Sequence, residues 1–279
     1  MRSMRPDKDI SVSTIRIPTA RGSIPALVLS PKAGAKNAAG ILWIHGGGYI
    51  AGMKEMVHMS RAVDLVKQFG AVVISPGYRL AIQRPFPAAA EDCYSALVYL
   101  KDHAQELGIR RDQIMVGGES AGGGLCAAVC LMARDRKSVN IAFQMPLYPM
   151  LDDRDTESSR DNHGKVWNTR KNHLAWKLYL RRTPKTPVSP YAAPARTQNF
   201  SGLPPTYTFV GDGEPFYVET LRYIENLKCA GIPAEVNVYH TDIHVFDMMQ
   251  PELEISRIAA EKFNQVFAYA KEHYFAENL

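Results

Sequence analysis

A mostly parallel, doubly wound α/β sheet of about eight strands is the fold class this sequence predicts. Three observations predict it. Short apolar runs alternate with segments of helical periodicity from residue 41 onward, the rhythm of strands joined by helical crossovers. A glycine-flanked serine, Gly118-Glu119-Ser120-Ala121-Gly122, stands between an apolar run over 113–117 and a helix of small residues. The length, 279 residues, suits one large α/β domain. Crossovers between parallel strands are right-handed, so helices cover both faces of such a sheet.

Residues 12–18 and 24–30 read as strands joined by Thr19-Ala20-Arg21-Gly22, an antiparallel hairpin. Residues 31–40 are a Gly/Ala/Lys loop and 41–45 a buried strand. Apolar spacing predicts a helix over 56–69, ended by Gly70. A strand over 71–75 follows, then a long helix over 88–106 stopped near Gly108, the strand before Ser120, the helix behind it, and a strand over 141–148. The rhythm then breaks. Residues 151–170 are polar, 172–180 read as a helix carrying Trp176, Leu178 and Tyr179, and 183–205 are rich in proline. We read 149–190 as a cap inserted within a single domain of residues 1–279. It would lie over the sheet edge where ligands bind in open α/β folds; a surface excursion without a role is the competing reading. A strand over 206–210, a helix over 217–230, a strand over 234–239 and a last helix over about 252–273 resume the pattern.

Hydrophobic residues make up 46% of the chain and charged residues 22%, the balance of a globular protein. The net charge is +5, and basic clusters such as Arg181-Arg182 are short and interrupted, which argues against a nucleic-acid partner. No apolar run approaches the length of a membrane span, and the N-terminal residues lack the apolar core of a signal peptide. Cys93, Cys126, Cys130 and Cys229 form neither a C-x-x-C pair nor a zinc spacing. The expectation is a cytoplasmic protein with no membrane partner.

The chemistry lies in two glycine motifs. A serine on a sharp strand-to-helix turn has its hydroxyl pushed out of the sheet, and the helix N-terminus behind it favours developing negative charge. In that context Ser120 is a nucleophile candidate; a glycine-rich packing turn is the alternative. Upstream, an apolar strand runs into His45-Gly46-Gly47-Gly48-Tyr49. Glycines let backbone N–H groups face an oxyanion, each such donor being worth about 3 kcal/mol of barrier, and this loop type forms the oxyanion hole of lipases and esterases. A nucleotide-phosphate loop is the competing reading, but its glycine–lysine and dinucleotide spacings are both absent. A serine also needs a base and an orienting acid, in the order Ser, Asp or Glu, His. Asp212 and Glu214 follow one predicted strand, and His240 and His244 follow the next. Chemistry alone leaves both choices open.

These motifs resemble those of the hormone-sensitive-lipase-like esterases, the bacterial family IV carboxylesterases of the α/β-hydrolase fold. The resemblance runs from residue 41 to the C-terminus. It includes 45–48, Tyr78-Arg79-Leu80-Ala81, Phe86-Pro87-Ala88-Ala89, 118–123, Tyr191-Ala192-Ala193-Pro194 and Leu203-Pro204-Pro205-Thr206. It implies Glu214 as the acid, aligned on Pro215 and Glu219 where relatives usually carry aspartate. It implies His244 as the base, in His244-Val245-Phe246 where the family has His-Gly-Phe. It further implies an oxyanion hole from the N–H groups of Gly47, Gly48 and Ala121. The departures are the longer Glu214 side chain, Val245 beside the base, Gly77 before Tyr78, and Ile82-Gln83. Only 44 residues precede His45, which implies a reduced cap. The implied activity is hydrolysis of a small-molecule ester with a short acyl group, acetyl to butyryl, with no metal or cofactor. Amide or formamide hydrolysis uses the same apparatus. A catalytically silent receptor on this fold, like the plant gibberellin receptors that have lost the histidine, is the non-enzymatic alternative. Tyr49, Trp167 and Phe216 are candidate pocket-lining residues, with plain packing as their competing role. Association as a homodimer is compatible with all of these readings.

Overall fold

A two-residue turn at Ala20-Arg21 joins β1 (Ile10–Thr19) to β2 (Gly22–Pro31), with Thr19 opposite Gly22. The structure, a computed structural model, describes residues 3–183 and 187–278. Beyond the hairpin come β3 (Ala38–Ile44), α1 (Ala62–Phe69), β4 (Val72–Pro76), α2 (Ala88–Asp102), β5 (Ile109–Glu119), α3 (Ala121–Arg136) and β6 (Phe143–Leu147). Then follow α4 (Thr169–Tyr179), β7 (Thr206–Gly211), α5 (Tyr217–Cys229), β8 (Ala234–Tyr239), α6 (Phe246–Met249) and α7 (Glu254–His273). One eight-stranded sheet results, in the order β1-β2-β4-β3-β5-β6-β7-β8. The hairpin is antiparallel to β4, and every pairing from β4 to β8 is parallel.

Alternation along the central strands explains the two helical layers. Leu42, Ile44, Ile114 and Val116 face one core with Leu97 of α2, Leu125 of α3 and Leu227 of α5. Ile41, Trp43 and Met115 face the other, with Leu65 of α1 and Phe263 of α7. Strands buried on both faces read as continuous apolar runs, which is how they appear in the sequence. Each fully buried Leu, Ile or Phe side chain contributes about 2 kcal/mol.

Two predicted helices are corrected. The helix expected over 56–69 is broken: a 3-10 turn at Lys54–Met59 gives way to α1. The cause is Ser60, whose hydroxyl donates to Val57 O at 2.8 Å and accepts from Ala62 N at 3.1 Å, replacing the helical ladder locally. Gly70 ends α1 at φ 67° as expected. The helix expected to reach residue 106 stops at Asp102; turns then lead to Gly108. The four-residue α6 has no periodicity to announce it. Pro184, at the head of the proline-rich stretch, lies outside the described residues.

Candidate active site

The serine turn is shaped by backbone crowding. Ser120 has φ 57° and ψ −121°, a strained conformation at the junction of β5 and α3. Its N–H donates to Leu147 O at 3.0 Å, and its carbonyl accepts from Gly124 N and Met150 N, each at 3.0 Å. A Cβ at Gly122 would lie 2.0 Å from Ile44 O, so only glycine lets α3 start this close to β3. The turn therefore fixes the serine from both sides before any side-chain contact is made.

His244 follows β8 and Glu214 follows β7. Nε2 of His244 lies 2.8 Å from Oγ of Ser120, and its Nδ1 makes a very short contact with Oε2 of Glu214. The other Glu214 oxygen accepts from Gly211 N at 2.7 Å. All three residues are buried. The imidazole is gripped between aromatic edges, Phe216 at 5.0 Å and Tyr148 at 5.3 Å between centroids. Asp212 and His240 are elsewhere. They pair with one another at 2.8 Å on the surface, the imidazole ring fully exposed. That contact lowers the Asp212 pKa and raises that of His240.

The segment between β6 and β7 holds the acid loop. Ser158 Oγ donates to Pro215 O at 2.8 Å and accepts from Val218 N, while Asn162 Nδ2 donates to Gly213 O at 3.0 Å. The same segment supplies Trp167, whose indole overlies the glycine loop: a Cβ at Gly48 would sit 2.2 Å from its ring. Gly47 and Gly48 have φ 115° and 60°. Among the described residues, no acceptor takes the N–H of Gly47, Gly48 or Ala121. His45 lies beneath this loop, stacked on Tyr78 at 4.2 Å, and burial pushes its pKa down to about 4, so it stays neutral.

A cavity of about 260 Å³ opens beside Ser120 and His244. Trp167 lines it. Tyr49 and Phe216 do not: Tyr49 is buried under the loop, donating to Met150 O at 2.7 Å and stacked on Tyr179, and Phe216 supports His244. The walls are instead Met56, Met59, Val166, Val245, Met248 and Met249. Sequence reasoning missed these methionines because they arrive in pairs from a 3-10 turn and from α6. Glu119 also reaches this lining. Its Oε1 accepts from Trp43 Nε1 at 2.8 Å, and burial pushes its pKa up to about 8.

A serine, a histidine and a carboxylate in hydrogen-bonded line at the C-terminal ends of parallel strands define a serine-relay protein of α/β architecture. A family model described as the alpha/beta hydrolase fold matches residues 41–248. Esterase LipI of Mycobacterium tuberculosis is 32% identical over 210 residues, 73% of this chain and 64% of its own length. Carboxylic ester hydrolase LipN of the same organism is 31% identical over 248 residues, 86% of this chain and 65% of its own length. The matches thus span just under two thirds of the length of these two relatives. The solved structure of a bacterial heroin esterase superposes with a TM-score of 0.87 at 35% identity, covering 91% of this chain and 82% of the other. The chain belongs to the α/β-hydrolase fold family, in the hormone-sensitive-lipase-like carboxylesterase branch that its motifs resemble. Among the described residues no helix is long and apolar enough to cross a membrane.

Proposed function

We propose that this chain is a serine carboxylesterase that hydrolyses short-chain acyl esters, acetyl to butyryl, through an acyl-enzyme. The observation that carries this reading is the unbroken contact from Ser120 through His244 to Glu214, opening on a small apolar cavity. Ser120 Oγ attacks the ester carbonyl while Nε2 of His244 takes its proton. Glu214 orients the imidazole and stabilises its charge. The N–H groups of Gly47, Gly48 and Ala121 stabilise the oxyanion, a low-dielectric arrangement in which each donor removes about 3 kcal/mol of barrier. His244 then protonates the leaving alcohol, and water repeats the cycle on the acyl group. Trp167 and the methionine walls hold the acyl chain, and residues 149–190 act as a cap that also fixes the acid loop. Three buried free cysteines, Cys93, Cys126 and Cys130, suit a reducing cytoplasm.

Hydrolysis of p-nitrophenyl esters from acetyl to dodecanoyl, by the protein and by Ser120→Ala, tests the reading. We expect turnover that peaks at short chains and is lost in the variant. A peak at long chains would overturn the substrate claim while keeping the chemistry. Absence of turnover on every ester, in folded protein, would overturn the esterase reading.

A further inference from the structure

A second cavity, of about 270 Å³, lies away from the serine, where the β1–β2 turn, the loop after β4 and the chain after α4 converge on the start of α2. Four arginines line it: Arg21, Arg79, Arg84 and Arg182. Two acidic groups bear on it, and both are already neutralised. Asp92 takes Arg79 through two side-chain hydrogen bonds, the Nε contact at 2.8 Å. Glu91 takes Arg136 at 3.0 and 2.6 Å, from outside the cavity. Among the described residues the guanidinium groups of Arg21, Arg84 and Arg182 have no carboxylate partner. All three are exposed at the rim of the cleft, where a ligand can reach them, and their shared positive potential favours an anion there.

Two further features fit the same ligand. The fifteen-residue α2 has no side-chain cap at Pro87, and the acidic residue of its first turn, Glu91, is already engaged by Arg136. Thr19 and Ser95 add hydroxyls to the lining, and one side of it is apolar, from Pro85, Phe86, Pro87 and Ala88. A tetrahedral dianion uses several guanidinium forks at once, which a single carboxylate cannot. The volume leaves room for a small organic group against the apolar wall. The arginines come from three separate elements, so their convergence is a product of the fold and not of a basic run in the sequence.

We propose that this cleft is a binding site for a small phosphomonoester, its phosphate held by Arg21, Arg84 and Arg182 and its organic part by Phe86 and the flanking prolines. The cleft is separate from Ser120 and takes no part in ester hydrolysis. Isothermal titration of the protein with phenyl phosphate, with inorganic phosphate and with phenol tests this. We expect saturable binding of phenyl phosphate, weaker binding of phosphate and none of phenol. The double variant Arg84→Gln/Arg182→Gln should weaken phenyl phosphate at least about tenfold. The double variant Lys32→Gln/Lys36→Gln removes the same net charge from an exposed surface elsewhere and should leave binding unchanged. Unchanged thermal midpoints show that both variants fold. Absence of saturable heat with phenyl phosphate would overturn the proposal. So would equal weakening in the two double variants, since attraction to the overall charge would then account for it.

Discussion

The ring of Tyr148 meets the ring of His244 edge-on, 5.3 Å between centroids at 79°, while its hydroxyl donates to Oδ1 of Asp247 at 2.9 Å. Asp247 is fully buried and lies against an equally buried Arg61, Nε to Oδ2 at 3.0 Å, off the line that a hydrogen bond needs. Arg61 also meets Asp64 at 3.1 Å. The imidazole therefore rests on an ion pair sunk into the second core, and α1 is tied to α6 through it.

Removing one member of that pair should be costly. Asp247→Leu leaves the buried guanidinium with the Asp64 carboxylate and a long contact to the backbone carbonyl of residue 247, a change worth about 3–5 kcal/mol. For a chain of this size that lowers the thermal midpoint by roughly 10 °C. Arg61→Met/Asp247→Leu removes both charges and should recover most of the loss, because buried pairs trade against apolar packing at little net cost. Differential scanning calorimetry of the three proteins decides it. A single variant as stable as the parent would mean that the pair contributes nothing.

Glu214 and Asp212 separate cleanly in their surroundings, one buried against His244 and the other on the surface with His240. Glu214→Gln should lower kcat by about 10³- to 10⁴-fold through loss of the productive tautomer. Asp212→Asn should leave kcat within about twofold, since an exposed pair contributes little. Loss of activity in Asp212→Asn alone would reverse the assignment.

Glu119 predicts a pH dependence of stability. Its pKa is raised from the ordinary carboxylate range to about 8 by burial, against the pull of the Trp43 hydrogen bond. The folded state therefore holds a proton that the unfolded state has released above about pH 4.5. The stabilising contribution is fully present below that value and is lost as pH rises through about 8. Glu119→Gln keeps an acceptor for Trp43 and removes the ionisation. Its thermal midpoint relative to the parent should rise between pH 5 and pH 8.5; a constant difference would show that Glu119 does not titrate there.

What could be read from the sequence was whatever a local pattern encodes. The parallel strands announced themselves because Ile41–Ile44 and Ile114–Val116 are buried on both faces. Ser120 was legible because its strained turn demands glycine neighbours. The pairing of His244 with Glu214 was not legible from spacing, since Asp212 and His240 sit at equivalent strand ends, and only resemblance to a family separated them. The cavity walls were less legible still. Met56 and Met59 are carried by a 3-10 turn that a serine hydroxyl cuts out of a longer helical pattern, and Met248 and Met249 by a single turn. Such residues meet only through tertiary folding, as do Arg61 and Asp247.

Val245 offers a test of the cavity that leaves the fold intact. It follows His244, caps α6, lines the cavity and has φ 58° and ψ 36°, the left-handed region that a β-branched residue enters at a cost of about 1–3 kcal/mol. Glycine adopts that conformation freely but adds about 0.5–1 kcal/mol of unfolded-chain entropy. The two effects oppose one another, so Val245→Gly should have a thermal midpoint at or slightly above that of the parent. The same change removes an isopropyl group from the cavity wall beside the base, where Met248 and Trp167 complete the enclosure. Its preferred p-nitrophenyl ester should therefore lengthen, with kcat/KM for hexanoyl rising relative to acetyl by about 10-fold, the discrimination available from one or two methylenes of apolar pocket. Met248→Ala should shift the preference in the same direction while lowering stability by about 2–5 kcal/mol, since it leaves a void without relieving any strain. If both variants keep the parent's chain-length profile, the acyl chain does not lie against this wall, and the methionines serve only to pack α6 beneath the histidine.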